Sequence, residues 1–531
     1  MSRPLVLWLA AAAVLLGACG ATPAASTADP GTPRPGGTLR FAVSSDQGCA
    51  DPQQVGSNDT IFSLRQVVDS LTDQDPATGE LRPWLATSWE ANADASAYTF
   101  TLREGVTFSD GTPLDAAAVK ANFDAVPDLG PRASLPKGYL AGYTGTTVES
   151  PTRFTVTFDE PNVQFLQGTS THSLGILSPA TVGKSDDERC ASVIGSGPFL
   201  IESYTRDDSI VLAKRAGYAW GSSLWQSPGE AQLDRVEFRI VPESGVRVGS
   251  LQSGEVDAIG NIAQQDEAVL AAAGVQLIAR ANPGIPFGIS FNQATPIGGD
   301  AAVREAVSLA IDRAEVVATV YSSQTTPATS ALASTTPGYA DQSALLRFDP
   351  VEAGSVLDAA GWLPGPDGIR ARNGTPLTVV LTWYSNSPAN RATVELIQQQ
   401  VRRVGIDLQL REKPISESTP TQQSGDFVAN WGNLTRADPD ILRSQYSTAG
   451  NNYNRLAPGP LDALLAEQAA QPDPADRAAT VAQAQQLLVR GYHTIPVVEL
   501  TTVLGVAADV HGVLFDASSR IQLHDAWKVQ P

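Results

Sequence analysis

Four histidines, three cysteines and an excess of carboxylates are the side chains from which a catalytic or metal centre would have to be built. His172, His493, His511 and His524 are scattered, with no H-E-x-x-H and no cysteine pair at zinc-ligand spacing. A site assembled in three dimensions stays open, but each histidine reads first as structural. Ser134-Leu135-Pro136-Lys137 fits S-x-x-K, yet no S-D-N or K-T-G partner accompanies it. Gly183-Lys184-Ser185 resembles the end of a phosphate loop, but Ser178 occupies the position where its first glycine is needed. Asp73, Asp75 and Glu80 suggest a calcium loop, which Ala77, Thr78 and Trp84 break at three required positions. A carboxylate pair for glycoside hydrolysis cannot be refuted by composition. The expectation is no catalytic residue, no metal and no cofactor.

With 531 residues the chain exceeds one hydrophobic core, so two or three domains are expected. Its 42% hydrophobic and 17% charged content is that of an ordinary globule. A formal charge of −20 leaves no basic stripe for phosphates and argues against nucleic acid. Residues 1–18 read as a signal peptide: Arg3, then an apolar run from Leu5 to Leu16. Leu16-Gly17-Ala18-Cys19 resembles the bacterial lipobox, which implies lipidation of Cys19 and anchoring on the outer face of the cell membrane. Residues 19–37, rich in Pro, Gly and Ser, read as a flexible tether of roughly 20–30 Å reach. With Cys19 lipidated, Cys49 and Cys190 remain, and an oxidising compartment favours their pairing over two buried free thiols.

The elements alternate along the chain. Strands are expected at 38–43, 98–102, 153–158, 209–212, 236–241, 287–292, 377–383, 406–411, 427–431 and 495–498. Helices are expected at 61–71, 115–125, 163–167, 245–253, 301–321, 350–360, 389–404, 459–470 and 474–490. Each rests on period-two or 3.6-residue apolar spacing between turn signals. Strands separated by helices of this length predict α/β layers.

Within Pro83–Asp124 the residues P-x-LA-x-SW, then YTF-x-LR-x-GV-x-FSDG-x-PL, then a helix, follow one order. Gly195-Ser196-Gly197-Pro198-Phe199, Ser253-Gly254-Glu255-Val256-Asp257, and Asn292 followed by Val303–Arg313 continue it. The chain resembles the peptide/nickel class of extracytoplasmic solute-binding proteins, family 5, which serve ABC importers. That resemblance implies a type II periplasmic-binding-protein clamshell with two lobes and an extra inserted domain. Domain I would comprise 38–75, 192–283 and 492–531, domain II 76–191, and domain III 284–491. It also implies a monomer that captures a small solute by hinge closure and passes it to a permease with a separate ATPase. A sensor lipoprotein without transport, or a surface hydrolase, are the alternatives.

Binding chemistry is then expected where loops from both lobes converge. Asp46 and Gln47 follow the first strand, as ligand groups or plain turn residues. Asn292 closes a strand inside a matching segment. Trp383, Tyr384 and Asn386 follow another strand, lining a pocket or packing the core. The segment Asn430–Asp440 supplies Trp431, Asn433 and Arg436. In peptide-binding relatives an aspartate three residues after this tryptophan pairs with the ligand's amino group; here the position is Leu434. Asp438 is displaced, and Arg436 offers a planar fork suited to carboxylate or phosphate, or else sits in solvent.

Overall fold

The computed structural model describes residues 33–384, 387–450 and 452–529. The signal peptide, most of the tether, Cys19 and Asn386 therefore lie outside the described residues. Three larger sheets organise the rest.

The first has seven strands, in the order Gln276–Ala281, Thr501–Val506, Ala258–Gly260, Thr38–Val43, Arg235–Ile240, Ser209–Lys214 and Phe199–Thr205. Thr38–Val43 runs parallel to both of its neighbours, and Leu39, Phe41 and Val43 enter a core with Val236 and Phe238. The second sheet is antiparallel, in the order Ala86–Ala91, Ala97–Leu102, Arg153–Phe158 and Tyr143–Ser150. Tyr98, Phe100 and Leu102 bury one face while the alternating threonines stay half-exposed, as period-two spacing requires. Phe100 lies directly across from Phe154 with the rings stacked at 5.3 Å. The third sheet has five strands, in the order Asp407–Lys413, Thr378–Tyr384, Ala429–Thr435, Gly284–Phe291 and Ile495–Val498.

The FSDG turn joins the second sheet to the rest. Asp110 accepts from the Thr112 amide at 2.9 Å and from the Ser178 hydroxyl at 3.0 Å, and Gly111 adopts φ +84°. Ser109 N–H donates to the Gly195 carbonyl at 2.9 Å. Arg215 gathers the carbonyls of Thr107, Phe108 and Ser196, each at 2.7 Å. Gly195 passes so close to Val67 that a Cβ would fall 2.0 Å from the Val67 carbonyl oxygen. Any side chain there would force the two segments apart. Trp84 is buried against Trp225 and Arg65, whereas Trp89 is only half-buried.

Two helices depart by more than two residues from their expected bounds. The expected helix at 301–321 is two, Ala301–Ala310 and Arg313–Val320. Asp312 caps the second by accepting from Glu315 N–H, and buried Arg313 donates to the carbonyls of Ser308 and Ile311 at the end of the first. The expected helix at 61–71 is Asn58–Leu64. It cannot continue, because Phe199 and Gly197 N–H groups take the carbonyls of Gln66 and Val67.

Asp69 is fully buried, accepting from Tyr218 Oη at 3.0 Å and Trp220 Nε1 at 2.9 Å. Burial pushes its carboxyl up to about 7 from 3.8. The folded chain thus holds a proton that the unfolded chain releases above pH ~4. Stability from this group is full below that pH and is lost as pH rises through about 7. Asp69→Asn, which reproduces the protonated pattern of one acceptor and one donor, is expected to remove the effect. Urea titrations should show the variant gaining on wild type by up to about 4 kcal/mol between pH 4 and pH 8. A constant difference across that range would exclude Asp69 as the titrating group.

Candidate binding cleft

The third and fourth strands of the five-stranded sheet, Ala429–Thr435 and Gly284–Phe291, form the floor of a cleft of about 100 Å³. Gly288 pairs with Gly432, and Ser290 with Asn430. Small residues on these paired positions keep the floor low. Beneath, Trp431 stacks on Phe287 at 5.5 Å and its indole N–H donates to Asn390 Oδ1 at 3.1 Å. Tyr384, Ser418 and Gln422 contribute to the walls, as do Gln445, Tyr446 and Thr494. Ile415 and Leu434 form an apolar rim, 52% and 41% exposed.

Two polar atoms at this cleft are poorly satisfied. Asn430 Oδ1 is buried and makes no hydrogen bond, and the buried Tyr384 hydroxyl makes none of good geometry, with the Thr421 and Ser418 hydroxyls beside it. Burial pushes the Tyr384 phenol up, so it stays neutral. Burial likewise pushes Tyr446 up to about 12. Among the described residues, no Asp, Glu, Lys, Arg or His lines the cleft.

The charged groups nearby are committed elsewhere. Asp438 receives Arg477 in a two-pronged ion pair at 2.9 and 2.6 Å, and Asp440 receives Arg443 and Gln468. Lys413 pairs with Glu417 and Asp426. Arg436 is buried, with its guanidinium 4.9 Å above the Tyr139 ring and Nη1 donating to Gln164 Oε1 at 2.9 Å and Ser444 Oγ at 3.1 Å. It is neither in solvent nor among the cleft-lining residues.

The other expected site residues divide accordingly. Tyr384, Trp431 and Asn433 come together at the cleft. Trp383 is core, with Arg391 over its ring. Asn292 ties its strand end to the Gly425 carbonyl at 3.0 Å. Asp46 accepts from Tyr204 Oη at 2.6 Å, and Gln47 accepts from the amides of Gly56 and Ser57 ahead of a helix. Both belong to the first sheet's loop, away from the cleft. Cys49 and Cys190 are joined by a disulfide. Sequence reasoning passed over Ser290, Asn430, Gln445, Tyr446 and Thr494. Alternation puts Asn430, Gly432 and Leu434 on the face opposite Trp431, so taking Trp431 as the site residue pointed away from Asn430.

The fold is that of the type II periplasmic binding proteins. NikA from Brucella suis, solved with Fe(III)-EDTA, superposes at a TM-score of 0.81 and 24% identity, covering 93% of this chain and 100% of its own. A dipeptide-binding protein from Pseudoalteromonas sp. SM9913, in complex with Met-Leu, gives 0.77 at 22% identity, covering 93% and 100%. The glutathione-binding protein GsiB of Escherichia coli strain K12 is 28% identical over 440 residues, 79% of this chain and 80% of its own. Residues 80–454 match the bacterial extracellular solute-binding proteins, family 5, middle region, and the chain belongs to that family. It is an extracytoplasmic solute-binding protein and not an enzyme. Among the described residues no helix is long and apolar enough to cross a membrane.

Proposed function

We propose that this chain is the substrate-binding component of an ABC importer. In this reading it is anchored through lipidated Cys19, captures a peptide or peptide-like solute by closure of two lobes, and hands it to a permease driven by a separate ATPase. The observation that carries the reading is the pair of buried, poorly satisfied polar groups at the cleft, Tyr384 Oη and Asn430 Oδ1. Groups left unpaired in a buried site are costly unless something that binds there satisfies them. Relatives named for glutathione and for a dipeptide complex support a solute of peptide character.

The domains proposed are 38–75 with 192–283 and 492–531, then 76–191, then 284–491. The chain crosses between the seven- and five-stranded sheets twice, at 281–284 and 498–501, the second crossing lying a few residues beyond the proposed boundary because Ile495–Val498 pairs in the five-stranded sheet. The crossings are linked by Asn282 N–H donating to the Leu500 carbonyl at 2.7 Å. Rotation about this pair is the proposed hinge, and Arg436 against Tyr139 and Gln164 is a tie between lobes. Ligand shifts such an equilibrium only through contacts that differ between the two states.

The small-molecule filtrate of spent bacterial medium is the probe. Fractions containing the solute are expected to raise the melting temperature, with about 2.7 kcal/mol gained at a hundredfold excess over Kd. They should also reduce the radius of gyration in X-ray scattering. No rise with any fraction overturns solute binding; a rise without compaction overturns hinge closure alone.

A further inference from the structure

We propose that the cleft selects an uncharged peptide-like solute, blocked or otherwise neutral at both ends, with an apolar flank. The inference rests on the solute-binding reading above and narrows it. Three observations converge. First, no Asp, Glu, Lys, Arg or His lines the cleft among the described residues, and its two tyrosines stay neutral. Second, the poorly satisfied groups are neutral: a phenol hydroxyl, able to donate or accept, and an amide oxygen, able only to accept. Third, Leu434 and Ile415 stand exposed at the rim, offering apolar surface.

A zwitterionic dipeptide would bring an ammonium and a carboxylate out of water into this site. The carboxylates that could meet the ammonium, Asp438 and Asp440, are already held by Arg477 and Arg443. Arg436, which could meet the carboxylate, turns to Gln164 and Tyr139. A desolvated charge without a partner is strongly disfavoured. Neutral amides are different: an N–H reaches Asn430 Oδ1, a C=O reaches Tyr384 Oη, and apolar side chains cover the rim. Each contact answers a group the protein leaves open.

The test uses the mature chain and a synthetic dipeptide library with uncharged side chains in four end-states: free, N-acetylated, C-amidated and doubly blocked. The four are equilibrated together with the protein, and the retained peptides are counted by mass spectrometry. The doubly blocked state is expected to exceed each charged state by at least tenfold. Equal or greater retention of any charged state overturns the inference while leaving solute binding intact. Retention of none, with a filtrate fraction still raising the melting temperature, also overturns it; failure of both probes removes the underlying reading as well.

Two variants separate recognition from folding. Tyr384→Phe is expected to weaken the blocked peptide at least tenfold while the ligand-free melting temperature changes little, since the buried hydroxyl that is lost makes no hydrogen bond of good geometry. Unchanged affinity overturns the role of Tyr384 Oη. Leu434→Asp, at an exposed position, is expected to move the preference at least tenfold toward the C-amidated peptide, whose ammonium it can meet. An unmoved ranking overturns the claim that missing charge sets the selection.

Discussion

Asp438→Asn is expected to destabilise the protein by about 3–5 kcal/mol, a cost set by what it leaves behind in Arg477. The pair is enclosed, with side-chain exposures of 13% for Arg477 and 6% for Asp438. Asparagine can still accept from Asp440 N–H, a bond of 2.8 Å, so the local turn survives. The guanidinium loses its direct countercharge and keeps only neutral acceptors, the asparagine Oδ1 and Gln468 Oε1, the latter at 3.2 and 3.0 Å. Surface ion pairs contribute at most about 1 kcal/mol, so the magnitude distinguishes a buried pair from an exposed one. Urea unfolding of wild type and variant reads it directly. A loss below about 1 kcal/mol would show that water reaches Arg477. Asp438→Leu combined with Arg477→Met is expected to cost less than Asp438→Asn alone, because no unpaired charge then remains inside.

Replacing Cys49 and Cys190 together by alanine is expected to remove about 5 kcal/mol, the chain-entropy contribution of a long closed loop. The bridged residues are 141 apart in sequence, and the whole second sheet lies between them. Alanine suits the test because Cys49 is buried and serine would add a hydroxyl to its apolar surroundings. The backbone bond from Ala50 N–H to the Cys190 carbonyl, 2.8 Å, remains in the variant and keeps the folded geometry. The loss therefore reports on the unfolded chain. Equal unfolding midpoints for wild type under oxidising and reducing conditions would contradict it.

What could be read from the residues, and what could not, follows from distance along the chain. The stretch Pro83–Asp124 announced its strand, its turn and its helix because alternation, Ser109-Asp110-Gly111 and Asp115 are all local signals. The partners of that turn, Gly195, Ser196 and Arg215, are remote, so the turn's role as a clasp was invisible. The same holds at the cleft. Trp431 and Asn433 were legible as site residues from one segment, but Arg436 looked available because Tyr139 and Gln164 come from another part of the chain. Asp438 likewise gave no local sign of Arg477, a residue 39 positions on. The strands Gln276–Ala281 and Thr501–Val506 were missed for a related reason: both are defined by pairing between remote segments.

That last pairing bears on the order in which the protein can fold. Thr501–Val506 lies between Ala258–Gly260 and Gln276–Ala281 and pairs with both. Until synthesis has nearly finished, Gln276–Ala281 has no neighbour in the seven-stranded sheet. The strand at its centre, Thr38–Val43, must also wait for Arg235–Ile240, about two hundred residues later. Long-range closure of this kind delays the first core while later segments emerge.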